Sequence, residues 1–350
     1  MKPGARILVV TSAPPLVDGG HLVLANAVVR ALRDAGYVSD LVTTPSNRFG
    51  RQGPAYLANW LTDVGMTGSG EAVDQVITMR FPSYAVRHPA QVCWLNHTMR
   101  EYYDRWDDWS GSLSRQGRVK ETVRRSLIRA ADTYFFKHHV RKMFVQSAAI
   151  GDRLSKWNGV RAEVLHPPPP QRDYRCDGYG DYLFFTSRLT RLKRAELVLQ
   201  ALADPAARHV RCVIGGDGDD RGRLNALARS LGLDGRVTFT GQLSEADLVN
   251  HLARCRAVVF PPADEDYGLV TVEAFASSKP VITCEDSGGP VELVRSGENG
   301  LVVAPRPDAL ARAFAELSDS RERAEAMGIR GRETADRMNW AAAVKKLVIA

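Results

Sequence analysis

Long apolar runs are missing from this 350-residue sequence. The longest, such as Ala257 to Phe260 and Arg6-Ile7-Leu8-Val9-Val10, are far too short to cross a bilayer, and the N-terminus has no extended apolar core of a secretory signal. A cytoplasmic protein is expected, free or at the inner face of the membrane. Cysteine is scarce as well: the five residues Cys93, Cys176, Cys212, Cys255 and Cys284 are odd in number, scattered and never in a Cys-x-x-Cys pair. Neither a disulfide framework nor a zinc site is indicated, and a reducing compartment fits. No Gly-x-Gly-x-x-Gly with a suitably spaced acid follows the first strand, which disfavours a dinucleotide-dependent dehydrogenase. Clustered carboxylates that chelate a divalent cation are also lacking, so no obligatory metal cofactor is expected. No nucleic-acid-binding module is apparent, and no nucleic-acid partner is expected. Repeats shorter than a domain and long disordered stretches are likewise absent.

What is present suits two soluble α/β domains: 44% of residues are hydrophobic and 25% charged. The net charge of +7 is unevenly spread. Residues 1–166 carry 22 Lys and Arg against 14 Asp and Glu, whereas residues 167–350 carry 25 against 26. Most of the excess lies between Arg115 and Lys142, where nine basic residues face only Glu121 and Asp132.

The segment Ile7 to Thr11 is a β-branched and aliphatic strand ending in a turn, Pro14-Pro15 to Gly19-Gly20. A helical pattern from His21 to Arg33 follows, with Leu22, Ala25, Val29 and Leu32 on one face. Val38–Val42, Val76–Met79, Gln91–Leu95 and Met143–Gln146 read as further buried strands of a doubly wound parallel sheet. The four prolines Pro167 to Pro170 can neither continue a helix nor join a central strand, and place a boundary there. Alternation then restarts with strands at Tyr182–Thr186, Val210–Ile214, Val237–Thr240, Ala257–Phe260 and Val281–Thr283. The expected division is an N-terminal domain over 1–166, a linker over 167–181, a C-terminal domain over 182–337 and a closing helix over 338–350.

Three constellations carry chemistry. The stretch Pro261 to Ala274 takes a strand into a turn bearing Glu265, then Gly268, then a helix bearing Glu273, eight residues beyond the first glutamate. Such a turn aims backbone N–H groups and the positive helix end at an anion, while carboxylates accept hydrogen bonds from sugar hydroxyls. Ser187 to Arg194 sets cations at the end of another strand, where open α/β sheets bind ligands and where charge developing on a diphosphate needs neutralising. Gly215-Gly216-Asp217-Gly218 ends a third strand with a glycine turn.

In order and spacing these stretches resemble the retaining glycosyltransferases of family 4, which have the GT-B fold of two Rossmann-like domains facing a central cleft. Four signatures carry the resemblance: Ser187-Arg188-Leu189 with Lys193, Gly215 to Gly218, Val237 to Gly241, and the Glu265–Glu273 pair. It continues through Gly288 to Glu292 and Gly297 to Leu301. In the first domain it rests on Gly19-Gly20, His97 and Ser147. The resemblance implies that Arg188 and Lys193 hold a donor diphosphate and that Glu273 bonds the ribose. It further implies that Glu265 bonds the transferred sugar, aided by backbone N–H groups near Gly268 and Leu269. Gly19, Gly20, Gly216 and Asp217 would complete the donor site, and His97 would stand beside the anomeric centre. The implied reaction is retaining transfer of a hexosyl unit from a nucleotide-diphosphate sugar to an acceptor hydroxyl, with a polysaccharide, lipid-linked glycan or small molecule as acceptor.

Other readings stay open. Arg191 and Arg194 read as solvated helix charges. Asp18, Asn96 and Arg100 are weaker site candidates. Tyr102, Tyr103, Trp106 and Trp109 are either core packing or an acceptor groove. The segment 115–142 is either a solvated helix face or a contact for an anionic membrane or a phosphate-bearing lipid. A sugar-nucleotide epimerase on a similar scaffold, or a noncatalytic binding protein, are the alternative functions.

Overall fold

The computed structural model describes residues 1–15, 19–46 and 50–349. The chain divides into two compact units, Met1–Pro167 with Trp340–Ala350, and Pro168–Asn339. Each is organised around one all-parallel, six-stranded sheet covered by helices, the architecture that strand and helix alternation predicts.

In the first unit the strands are β1 (Arg6–Ala13), β2 (Val38–Pro45), β3 (Gln75–Thr78), β4 (Gln91–Leu95), β5 (Lys142–Val145) and β6 (Glu163–Val164), in the order β2-β1-β3-β4-β5-β6. The order reverses between β1 and β3, the kind of position at which open α/β sheets bind ligands. Helix Gly20–Asp34 returns along β1 and β2 and buries Leu24, Ala25, Val28, Val29 and Leu32. The helix Trp340–Leu347 is part of this unit: Trp340 meets Trp94 edge to face with ring centroids 6.3 Å apart. Gln75 Nε2 donates to the Leu347 carbonyl at 2.7 Å.

In the second unit the strands are β7 (Tyr182–Thr186), β8 (Arg211–Gly215), β9 (Val237–Gly241), β10 (Ala257–Val259), β11 (Val281–Cys284) and β12 (Gly300–Val303), in the order β12-β11-β10-β7-β8-β9. Here the reversal lies between β7 and β10. Both faces are covered at the central strands β7, β10 and β11, which read accordingly as near-continuous apolar runs, whereas the edge strand β9 alternates half-buried and exposed residues. Leu183 and Phe185 pack on one side with Leu199, Leu202 and Phe314, whereas Phe184 turns to the other with Val272 and Phe275, as the period of two requires. Most of the segment 167–181, expected as a linker, belongs to the second unit, where Arg172 and Tyr174 reach Glu273 and the Tyr179 hydroxyl donates to the Ser278 carbonyl at 2.7 Å.

The long helix Arg115–His138 differs from its sequence reading in one respect. Glu121 and Asp132, the two acids among its basic residues, are buried. The Glu121 carboxylate accepts from the Tyr102 hydroxyl at 2.6 Å, and Asp132 accepts from Tyr84 and Tyr103 at 2.5 and 2.6 Å and from Tyr56. Glu121 also pairs with Arg124, so among the described residues the exposed cations of this helix are Arg115, Arg118, Lys120 and Lys137. Tyr102, Tyr103 and Trp106 are core residues, and Trp109 packs on Tyr102 at 5.9 Å, which settles that cluster as packing.

Candidate active site

At the carboxyl ends of β7 and β10, the reversal point of the second sheet, the chain collects charge of both signs. Beyond β7 the backbone runs through Arg188 to a short 3-10 turn, Arg191–Lys193. Beyond β10 it runs through Glu265 and Gly268 into the helix Leu269–Ala276. Backbone bonds tie these loops: the Ala263 N–H donates to the Leu192 carbonyl at 2.8 Å and the Glu265 N–H to the Ser287 carbonyl at 2.9 Å. Lys193 Nζ forms an ion pair with Glu265 Oε2 and lies 5.4 Å from the centroid of the Phe260 ring. Both members stay about one-fifth exposed, so each charge can be reached from solvent.

Gly268 precedes the helix in a left-handed conformation, φ +82°, and a Cβ there would lie 2.7 Å from the Phe260 ring. Only glycine fits, and the first N–H groups of the following helix are left for another acceptor. Gly216 serves packing: at φ +114°, its Cβ would come within 2.0 Å of the Ser187 carbonyl oxygen. The glycine turn after β8 thus presses against the chain beside Arg188, and the Leu189 N–H donates to the Asp217 carbonyl at 2.9 Å. The Asp217 carboxylate itself accepts from its own helix region, from Arg221 at 2.8 Å and the Gly218 N–H at 2.8 Å.

Glu273 sits one helical turn into Leu269–Ala276 and is only 5% exposed. Burial pushes its carboxyl above the usual carboxylate range, and the Arg172 guanidinium and the Tyr174 hydroxyl draw it back. Arg172 and Tyr174 escaped the sequence reading because they lie 101 and 99 residues from Glu273 within a stretch that looked like linker. Arg194 corrects another expectation. It is no solvated helix charge: at φ +53° it caps the helix Ala195–Ala203 and forks onto Asp286 through bonds of 2.7 and 2.6 Å.

In the first unit, Gly19 is extended and caps helix Gly20–Asp34, its carbonyl accepting from the Leu22 N–H at 3.0 Å. His97 follows β4, and its Nδ1 faces the Thr98 carbonyl at 2.9 Å. A carbonyl only accepts, so Nδ1 carries the hydrogen. Ser147 caps helix Ala148–Asn158. Arg100 pairs with Asp104, which Arg153 also approaches, and Asn96 is buried. Asp18 lies outside the described residues. Among the described residues no three His, Cys, Asp or Glu side chains converge as metal ligands, and no helix is long and apolar enough to cross a membrane.

Residues 173–334 match the family model for glycosyl transferases group 1. The chain is 36% identical over 192 residues to a GDP-mannose-dependent alpha-(1-6)-phosphatidylinositol monomannoside mannosyltransferase of Mycobacterium tuberculosis, covering 50% of this chain and 49% of that protein. It is 31% identical over 179 residues to a D-inositol 3-phosphate glycosyltransferase of Corynebacterium kroppenstedtii, covering 48% of this chain and 40% of that protein. The chain thus aligns with less than half the length of either relative. In fold it is similar to the sucrose-phosphate synthase of Thermosynechococcus elongatus, with a TM-score of 0.76 and 18% identity over 98% of this chain and 97% of the other. The family match thus lies in the second unit, where the signatures and charged loops gather at one sheet reversal, and the fold of the chain is that of the GT-B structures it resembles.

Proposed function

We propose that the protein is a retaining glycosyltransferase that moves a hexosyl unit from a nucleotide-diphosphate sugar to an acceptor hydroxyl, in polysaccharide or lipid-linked glycan synthesis. One observation carries this reading: the Lys193–Glu265 pair, Arg188, the glycine-led helix start and Glu273 share one end of the second sheet, at its reversal point. In this reading the donor diphosphate takes Arg188, Lys193 and the N–H groups near Gly268 and Leu269, while Glu265 turns to the sugar hydroxyls and Glu273 to the ribose. Gly216 and Asp217 hold the Arg188 loop, and Gly19, Gly20 and His97 are the candidates that the first unit carries. As the sugar C1–O bond breaks, Lys193 and Arg188 offset the charge gathering on the diphosphate. The acceptor oxygen bonds to C1 and its proton passes to the departing phosphate oxygen, which balances the step without a metal or a covalent enzyme intermediate.

The test is thermal stabilisation by UDP-, GDP-, ADP- and dTDP-sugars of the unmodified protein and of folded Arg188→Ala and Glu273→Ala variants. Stabilisation by one nucleotide, lost in both variants, is expected. Silence of the whole panel at millimolar concentration sinks the reading, and a converted sugar nucleotide without acceptor favours an epimerase instead.

An anionic membrane surface is the partner we assign to the helix Arg115–His138. Val119, Val123, Leu127 and Tyr134 are 67, 58, 67 and 50% exposed and lie along one outward ridge at steps of four, four and seven residues. Arg115, Arg118, Lys120 and Lys137 are exposed around it, and both acids of the helix are buried. Apolar residues framed by cations suit the interface of an anionic bilayer, whereas a nucleic acid makes no use of the apolar ridge.

A further inference from the structure

Glu273 is held through one oxygen only. Its Oε1 accepts from the Tyr174 hydroxyl at 3.0 Å and from the Arg172 guanidinium, whereas Oε2 takes no hydrogen bond among the described residues. Oε2 is also not one of the sealed, partnerless polar atoms, so it keeps access to solvent. Arg172 is itself anchored: its Nε and Nη2 donate to Glu245 Oε1 at 3.1 and 3.0 Å, at the start of the helix Glu245–Arg254. One guanidinium therefore bridges the carboxylates of two helices.

We propose that Arg172 and Tyr174 are positioning residues that immobilise Glu273 Oε1 and present Oε2 alone to the ribose diol of the donor nucleotide. This rests on the donor-site reading above. A carboxylate free to rotate would spend its charge on water or on Arg172 in several arrangements. Fixed at Oε1, it offers one oriented acceptor. The groups facing Glu273 are Arg172 and Tyr174 from the segment after Pro168 and Glu245 from the neighbouring helix, and of these only Arg172 is cationic. Its removal leaves burial and the Glu245 charge to raise the Glu273 carboxyl further, so the carboxylate becomes protonated at higher pH.

Calorimetric titration with the preferred ribonucleoside diphosphate and with its 2′,3′-dideoxy analogue tests this on the unmodified protein, Arg172→Met, Arg172→Lys and Tyr174→Phe. Arg172→Met is expected to bind the ribonucleotide about tenfold more weakly, with a larger deficit at pH 6 than at pH 8. The dideoxy analogue, lacking the diol, is expected to bind both proteins alike, and Arg172→Lys to recover part of the loss. Equal penalties for the two nucleotides overturn the proposal, because they mark a merely structural effect; so does ribonucleotide binding by Arg172→Met that is undiminished while Glu273→Gln binds weakly. If the unmodified protein binds no nucleotide, the donor-site reading itself fails and this inference falls with it.

Discussion

The two units are each built on a parallel, doubly wound sheet of their own but place their charge differently. In the second unit, cations and carboxylates meet at the strand ends: Lys193 with Glu265, Arg172 with Glu273 and Glu245, Arg194 with Asp286. In the first unit the acids of the longest helix turn inward to tyrosine hydroxyls, Arg124, Arg125 and Arg129 are half-buried against Glu121 and aromatic rings, and Arg115, Arg118, Lys120 and Lys137 stand exposed around an apolar ridge. The same scaffold can therefore concentrate balanced charge at a ligand crevice or display charge of one sign on an outer helix. What differs is which residues the periodicity of each element directs inward.

The largest effect is expected where the second unit's balance is broken. Lys193→Ala strips Glu265 of its partner and, on the proposed donor site, removes a cation from the charge developing on the diphosphate. A loss of about 10²–10³ in kcat/KM is expected, measured by sugar transfer at saturating acceptor. A loss below threefold would show that the Lys193–Glu265 pair is only structural.

A smaller effect separates the first unit's interior from its surface. Asp132 is fully buried with three tyrosine donors, and burial raises its carboxyl to about 6. Since an unfolded aspartate titrates near 4, the folded state binds this proton more tightly. The resulting stability is present in full below about pH 4 and is lost as the pH rises through about 6, by ~3 kcal/mol. All six tryptophans, Trp60, Trp94, Trp106, Trp109, Trp157 and Trp340, belong to the first unit, so tryptophan fluorescence during urea unfolding reports on it alone. The difference between the unmodified protein and Asp132→Asn is expected to change by that amount from pH 4 to pH 7. A constant difference would mean that Asp132 titrates normally.

The smallest effect belongs to the outer ridge. Leu127→Glu replaces an exposed apolar group with an acid and touches no core residue, so stability should move by less than about 0.5 kcal/mol. Sedimentation with phosphatidylserine vesicles is expected to weaken about fivefold, since one charge near such a surface is worth ~1 kcal/mol. Unchanged sedimentation, or equal binding to neutral phosphatidylcholine vesicles, would remove the membrane from the comparison.

Much of this contrast was legible before the fold. Most strands and several helices follow from short apolar runs bounded by glycine and proline, and Arg188, Lys193, Glu265 and Glu273 stand out because each follows a strand at a recognisable spacing. The inward turn of Asp132 also had a signal: Ile128, Asp132 and Phe135 share one face of a helix at steps of four and three. Arg172 had none, since nothing local marks a polar residue after four prolines as the partner of a glutamate 101 residues on. Arg194 was misread because its left-handed backbone and its fork to Asp286, 92 residues away, both depend on the assembled sheet.

The sequence by itself determined the repeating strand and helix units, the family signatures and the asymmetry of charge, because these arise from neighbours along the chain and from the period of each element. Only the tertiary structure decided which oxygen of Glu273 is engaged, which acids of the basic helix are buried and which aromatics are core. Each of those depends on groups brought within hydrogen-bonding or packing distance by the order of strands in a sheet, and that proximity has no counterpart in local spacing.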